Sequence, residues 1–141
     1  MQPGFFQISL KVFLQRGTQF LVLRDALSGL GDLPGGRISH EEFYGDWTAC
    51  VYRELAEELG NDVHYTLSSE PLFVFPHHIV SAGTEALGIA YHALYKGGKV
   101  QLSPEHDAQD WVDVAVYEPS PFFHPHLAAA VRRFQRLVKQ Q

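Results

Sequence analysis

Three glutamates, Glu54, Glu57 and Glu58, stand together near the end of one predicted helix. Side chains three and four positions apart project from the same helical face, so the three carboxylates share a patch. They fall in the last two turns, where the helix dipole is negative and disfavours anions. Glu54 and Glu58 add a like-charge pair at i,i+4. Cations would relieve these penalties together. All-oxygen ligands suit a hard divalent ion such as Mg²⁺ or Mn²⁺, and Mg²⁺ commonly joins a few carboxylates to the phosphates of a substrate. Arg53 adjoins the patch within i,i+4 reach of Glu57 and could orient that carboxylate. The plainer reading of the three glutamates alone is a solvated acidic face.

The segment upstream weighs against that plainer reading. Leu33-Pro34-Gly35-Gly36-Arg37 stands shortly before the helix. Paired glycines let a backbone approach a ligand closely, and a glycine carbonyl can itself be a metal ligand. Alone, Gly35-Gly36 would be an ordinary turn.

The elements that must carry these residues can be read from apolar periodicity. Residues 5–14 and 19–24 are β-prone runs broken at Arg16-Gly17, which predicts two strands and a tight turn. Residues 26–36 contain five glycines or prolines in eleven positions and predict a loop. Residues 46–59 form the clearest helix, with Asp46 as N-cap and Gly60 just past the end. Val51, Tyr52, Leu55 and Leu59 are expected on its buried face. Strands are predicted over 72–80, 86–96 and 110–117, with a hairpin connection at 81–84. A closing amphipathic helix is predicted over 126–139. The order implies one α+β domain over residues 1–141 with a mixed sheet.

Composition narrows the function. The chain has 141 residues, 45% of them hydrophobic, and a formal net charge of −5. That charge excludes a general nucleic-acid binder, which needs a basic face. A small phosphorylated substrate remains compatible, because bound cations supply positive charge. A single cysteine, Cys50, permits no internal disulfide and fits a reducing compartment. The N-terminal residues lack the pattern of a signal peptide, and no apolar run approaches a membrane span, so a cytoplasmic location is expected.

Together these residues resemble the Nudix hydrolase signature, G-x5-E-x7-R-E-U-x-E-E-x-G-U, where U is aliphatic. Gly36 and Glu42 match its first half. Arg53, Glu54, Leu55, Glu57, Glu58 and Gly60 match its second half without a gap. Ten residues rather than seven separate Glu42 from Arg53, a three-residue insertion before the helix, and Asn61 takes the last aliphatic position. The insertion puts the role of Glu42 in question, while Asn61 touches no ligand.

The resemblance implies an α/β/α sandwich and hydrolysis of a nucleoside diphosphate linked to a group X, giving a nucleoside monophosphate and a phosphorylated X. It implies that Glu54, Glu57 and Glu58 bind Mg²⁺ or Mn²⁺, with the carbonyl of Gly35 or Gly36, and that Arg53 orients a glutamate. Two general bases are open. One is Glu57. The other is Glu105, because relatives carry a glutamate on a loop shortly before a strand like that of Trp111. Gly35, Arg37 and His106 are expected to face the substrate. Pro76 resembles a downstream proline that marks ADP-ribose-hydrolysing relatives, and many relatives are homodimers. Two other functions stay open: a house-cleaning nucleoside triphosphate pyrophosphatase, and a nucleotide-binding module without catalysis.

Other candidates read more simply. His77, His78, His92, His124 and His126 match no compact metal motif and are expected as surface or half-buried histidines. Among Phe5, Phe6, Phe73, Phe75, Tyr91 and Trp111, one or two are expected beside the substrate and the rest in the core. Trp47, at the start of the helix, either caps the core or lines the pocket rim. The basic run Arg132, Arg133, Arg136 and Lys139 is read as a solvated helix face.

Overall fold

A computed structural model describes residues 1–139. Strands β1 (Gln7–Arg16) and β2 (Gln19–Asp25) form the predicted hairpin, turned by Gly17 at φ 59°. Two short strands follow, β3 (Gly31–Asp32) and β4 (Gly35–Arg37), and then a 3₁₀ turn at His40–Glu42. Helix α1 spans Trp47–Leu59. Strands β5 (His64–Leu67), β6 (Phe73–Ile79), β7 (Thr84–Gly97) and β8 (His106–Asp113) precede helix α2 (Pro125–Lys139).

The strands make one mixed sheet. Its central path runs β3-β2-β1-β7-β5, and β4, β6 and β8 pair with β1, β7 and β2 respectively. The β1–β7 pair is parallel, with Leu10 opposite Ile89, while the other pairs are antiparallel.

Strand period two divides the core between the two faces. Leu10, Val12, Leu14, Leu21 and Leu23 pack against Val51, Leu55 and Leu59 of α1. Phe13, Phe20 and Val22 face the other way and pack against Leu127, Val131 and Phe134 of α2. The Phe13 and Phe134 rings stack at 4.2 Å between centroids. The result is the expected α+β sandwich with one helix on each face. No described helix is long and apolar enough to cross a membrane.

Several expectations need correction, the first being the loop expected over 26–36, which holds β3 and the start of β4 because Gly31–Asp32 pair with β2 and Gly35–Gly36 with β1. Tyr52 is not on the buried face of α1: it is exposed and stacks on Tyr65 of β5 instead. The strand expected over 110–117 is shifted to His106–Asp113, because residues 106–113 pair with β2 and the chain then turns. Val114 is buried, but in that turn. Strand β5 was not anticipated: it carries a half-exposed HYTL sequence and is held by backbone pairing to β7.

Candidate metal and substrate site

The glycine pair lies where α1 meets the sheet. Strand β4 pairs Gly35 with Lys11 and Gly36 with Leu10 of β1. Gly35 has φ 140°, and a Cβ there would overlap the carbonyl oxygen of Leu10. A Cβ on Gly36 would meet the carboxylate of Glu54. The first glycine is thus required by the backbone, while a side chain at the second would displace the Glu54 carboxylate packed upon it.

The start of α1 is set by Asp46, whose side chain accepts the Thr48 N–H at 2.9 Å. Trp47 begins the helix and donates its indole N–H to the Phe43 carbonyl at 3.0 Å, while its ring packs near Phe43 and against the α1 core. The loop of residues 43–46 brings Glu42 back to the helix. Arg53 then grips Glu42 through three contacts of 2.9–3.2 Å. It also reaches Glu54 at 3.0 Å and Glu57 at 3.2 Å. One guanidinium therefore gathers three carboxylates. The Ser39 N–H, and after it hydrogen bonds involving Cys50 and Arg53, hold the Glu42 carboxyl down at about 2.

Glu58 is buried and accepts the Gly35 N–H at 2.7 Å. Burial pushes its carboxyl up to about 8, against the opposing pull of Lys11 and the Gly35 N–H. Burial, then repulsion from Glu57 and Glu105, outweighs Arg53 and raises Glu54 as well. Glu57 is exposed, its side chain 58% accessible, and held by Arg53.

The loop before β8 is anchored to the end of α1, where the N–H groups of Gln101 and Ser103 donate to the carbonyls of Leu59 and Glu58. This anchoring brings Glu105, exposed, and His106, buried, to Glu58. Carboxylate oxygens of Glu58 and Glu105 and a ring nitrogen of His106 all lie within 4.8 Å of one another. His106 Nε2 is 2.9 Å from Asp32 Oδ2, and Asp32 Oδ1 is 2.9 Å from Lys11 Nζ. Although burial opposes it, the charge of Lys11 holds the Asp32 carboxyl well below its ordinary value. Asp32 raises Lys11 and His106 in return, again against burial. Sequence reasoning had passed over both Lys11 and Asp32. A signal existed for Lys11, the one charged residue in the apolar run 5–14.

A cleft opens beside this cluster. Gly35, Gly36, Arg37, Glu58, Glu105 and His106 line it, all of them expected site residues. Glu54 lies behind Gly36, and Arg53 and Glu57 lie on the exposed surface of α1. Arg37 is exposed and donates to Gln7 at 2.8 Å. His106 belongs to the cluster with Glu58 and Glu105 and also lines the cleft. His77, expected to be unremarkable, is a buried wall of the cleft, and burial lowers it to about 4.

The aromatic candidates lie outside this cleft, though Phe6 lines an adjoining groove that shares Arg37 with it. Among the described residues, no phenyl or indole ring lines this cleft. Phe73, Phe75 and Tyr91 are core residues, Phe5 and Phe6 are exposed, and Trp111 lies under the Arg16 guanidinium at 4.1 Å. Pro76 sits on the exposed face of β6, an edge strand where proline removes no ladder bond, and lies outside the cleft lining.

The cluster fits a divalent cation. Oxygens of Glu58 and Glu105 converge within 4.8 Å of each other and of a His106 ring nitrogen, and the cost of burying Glu58 is one that a bound ion would offset.

Comparison with known proteins agrees with the geometry. The sequence profile of the NUDIX domain matches residues 6–134. None of the curated proteins is similar enough in sequence to match. Among solved structures, a MutT protein from Methanosarcina mazei Go1 superposes with a TM-score of 0.76 at 23% identity, over 95% of this chain and 96% of that one. An Ap4A hydrolase from C. elegans gives 0.74 at 16% identity, over 96% and 99%. The NUDIX domain of Shewanella oneidensis NrtR, complexed with ADP ribose, gives 0.67 at 20% identity, over 95% and 90%. At these identities the likenesses speak for the fold, and the profile match over most of the chain speaks for the family. The chain belongs to the NUDIX domain family and is a hydrolase of pyrophosphate linkages.

Proposed function

We propose that the protein hydrolyses the pyrophosphate linkage of a nucleoside diphosphate derivative, releasing a nucleoside monophosphate and a phosphorylated second group. The observation that carries this reading is the convergence of Glu58 and Glu105 on a cleft floored by Gly35 and Gly36. Glu54, Glu57 and Glu58, with the Gly36 carbonyl, would hold Mg²⁺ or Mn²⁺. When bound, such ions neutralise phosphate oxygens and favour attack at phosphorus.

The chain's own residues do the rest. Arg53 keeps Glu54 and Glu57 oriented while Glu42 holds Arg53. Glu105 is the better-placed base. It lies in the cleft lining, whereas Glu57 is engaged by Arg53 outside that lining. In this role Glu105 takes the proton of the attacking water as the new P–O bond forms, and the bridging oxygen departs with the second phosphate. Gly35, Arg37 and His106 border the space where the substrate would lie. The nucleotide-derived ligands named for the C. elegans and Shewanella proteins support this substrate class.

The test is a screen of nucleoside diphosphate sugars, dinucleoside polyphosphates and nucleoside triphosphates with Mg²⁺ and with Mn²⁺, with the phosphate products identified. A nucleoside monophosphate with a phosphorylated partner is expected. Pyrophosphate from triphosphates alone would favour the house-cleaning reading.

A further inference from the structure

Glu58, Glu105 and His106 form a mixed donor set: two carboxylates and one imidazole within 4.8 Å. The imidazole is held from behind. Its Nε2 lies 2.9 Å from Asp32, and the Lys11 ammonium lies 2.9 Å from the other oxygen of the same carboxylate. A carboxylate paired with an ammonium is ionised and only accepts, so Nε2 carries the proton in this contact. In the neutral ring the lone pair then belongs to Nδ1. That atom is buried and has no hydrogen-bond partner among the described residues, in a residue only 4% exposed. Buried polar atoms are rarely left unpaired without a functional reason. The two glutamates make the position favourable for positive charge, so a divalent cation competes there with a proton. A carboxylate behind an imidazole whose other nitrogen meets a metal is a recurring arrangement that fixes tautomer and ring orientation.

We infer that His106 Nδ1 is a ligand to a divalent cation shared with Glu58 and Glu105, and that Asp32 and Lys11 position it. The inference rests on reading the cleft as a metal site. It changes which ion the site prefers. An imidazole nitrogen suits Mn²⁺ and other first-row transition ions better than Mg²⁺, which favours oxygen.

Electron spin echo envelope modulation of the full chain loaded with one equivalent of Mn²⁺ tests this directly, because a coordinated imidazole imprints ¹⁴N modulation on the manganese signal. Nitrogen modulation is expected in the unmodified protein and in His77→Gln, a control at another histidine of the cleft. It should vanish in His106→Gln. Mn²⁺ affinity measured by titration should fall about 10–100-fold in that variant, while Mg²⁺ affinity changes far less. Asp32→Asn should weaken Mn²⁺ binding in the same direction with the imidazole still present. Bound Mn²⁺ without nitrogen modulation in the unmodified protein would overturn the inference, even if His106→Gln fails to fold, and would leave the proposed hydrolysis standing. Modulation that survives in His106→Gln would also overturn it. Failure to bind Mn²⁺ at all would overturn both this inference and the metal site beneath the proposed function.

Discussion

The Glu58 carboxylate accepts the Gly35 N–H at 2.7 Å, a single hydrogen bond that ties the end of α1 to the glycine strand at the floor of the cleft. The acceptor is buried and its carboxyl is held near 8, so this tie is made by a group whose charge is costly in the protein alone.

That cost has a sign. The folded value lies above the ordinary 4.5, so the folded state binds a proton more tightly than the unfolded chain. Stability from this group is fully present below about 4.5 and is lost as pH rises through about 8. In the presence of a chelator, unfolding free energy should therefore fall across that window by a few kcal/mol. Glu58→Gln keeps an acceptor for Gly35 and should flatten the slope while matching or exceeding the unmodified stability at pH 8. Denaturant unfolding at several pH values measures both; an unchanged slope in the variant would assign the effect to another group.

Mg²⁺ or Mn²⁺ should reverse the same penalty. Because the ion binds the native state preferentially, millimolar metal is expected to raise the melting temperature at neutral pH, and binding should release a proton. Calorimetric titration in buffers of different ionisation enthalpy reads the proton count. Zero proton release near pH 7 would contradict the placement of Glu58 at the metal.

The two glycines should fail differently. Gly35→Ala forces a side chain onto a φ of 140° and into the Leu10 carbonyl, so a stability loss on the order of 1–3 kcal/mol is expected from backbone strain alone. Gly36→Ala instead displaces the Glu54 carboxylate. Its main expected effect is weaker metal binding with a smaller drop in stability. Thermal melts and Mn²⁺ titrations on both variants separate the two. Equal losses in both properties would show that Glu54 is not set by its contact with Gly36.

Arg53→Ala should release Glu42, Glu54 and Glu57 together. Metal affinity or turnover is expected to fall about 10–100-fold, as for other groups that orient metal ligands. Stability should change less, because Arg53 and Glu57 are exposed, with Glu54 the most buried partner. Arg53→Lys should recover only part of the function, since one ammonium cannot reach three carboxylates with a planar fork. Full recovery in the lysine variant would reduce Arg53 to a simple positive charge.

Much of this was legible in the sequence because it is local. The α1 cap at Asp46, the stop at Gly60, the β1–β2 hairpin and the glutamate face follow from neighbours within a few residues. Strand β5 was missed because half-exposed HYTL owes its conformation to distant β7. Strand β8 was misplaced because its first residues, His106-Asp107-Ala108-Gln109-Asp110, are mostly polar and carry no apolar alternation, while the apolar signal runs on into a turn. Lys11, Asp32 and His106 come together across separations of 21 and 74 residues, which no local pattern reports. The loop 43–46 did not cost Glu42 its partner, since the 3₁₀ turn delivers it to Arg53.

The central claim is that these glutamates make a hydrolytic centre, not an acidic surface or a binding module. The most direct measurement is turnover, with Mg²⁺ and with Mn²⁺, of a panel of nucleoside diphosphate derivatives by the unmodified protein and by Glu58→Gln at matched, verified fold. Metal-dependent release of a nucleoside monophosphate, reduced by several orders of magnitude in Glu58→Gln, is the predicted result. Equally negligible turnover by both proteins across the panel would contradict the account.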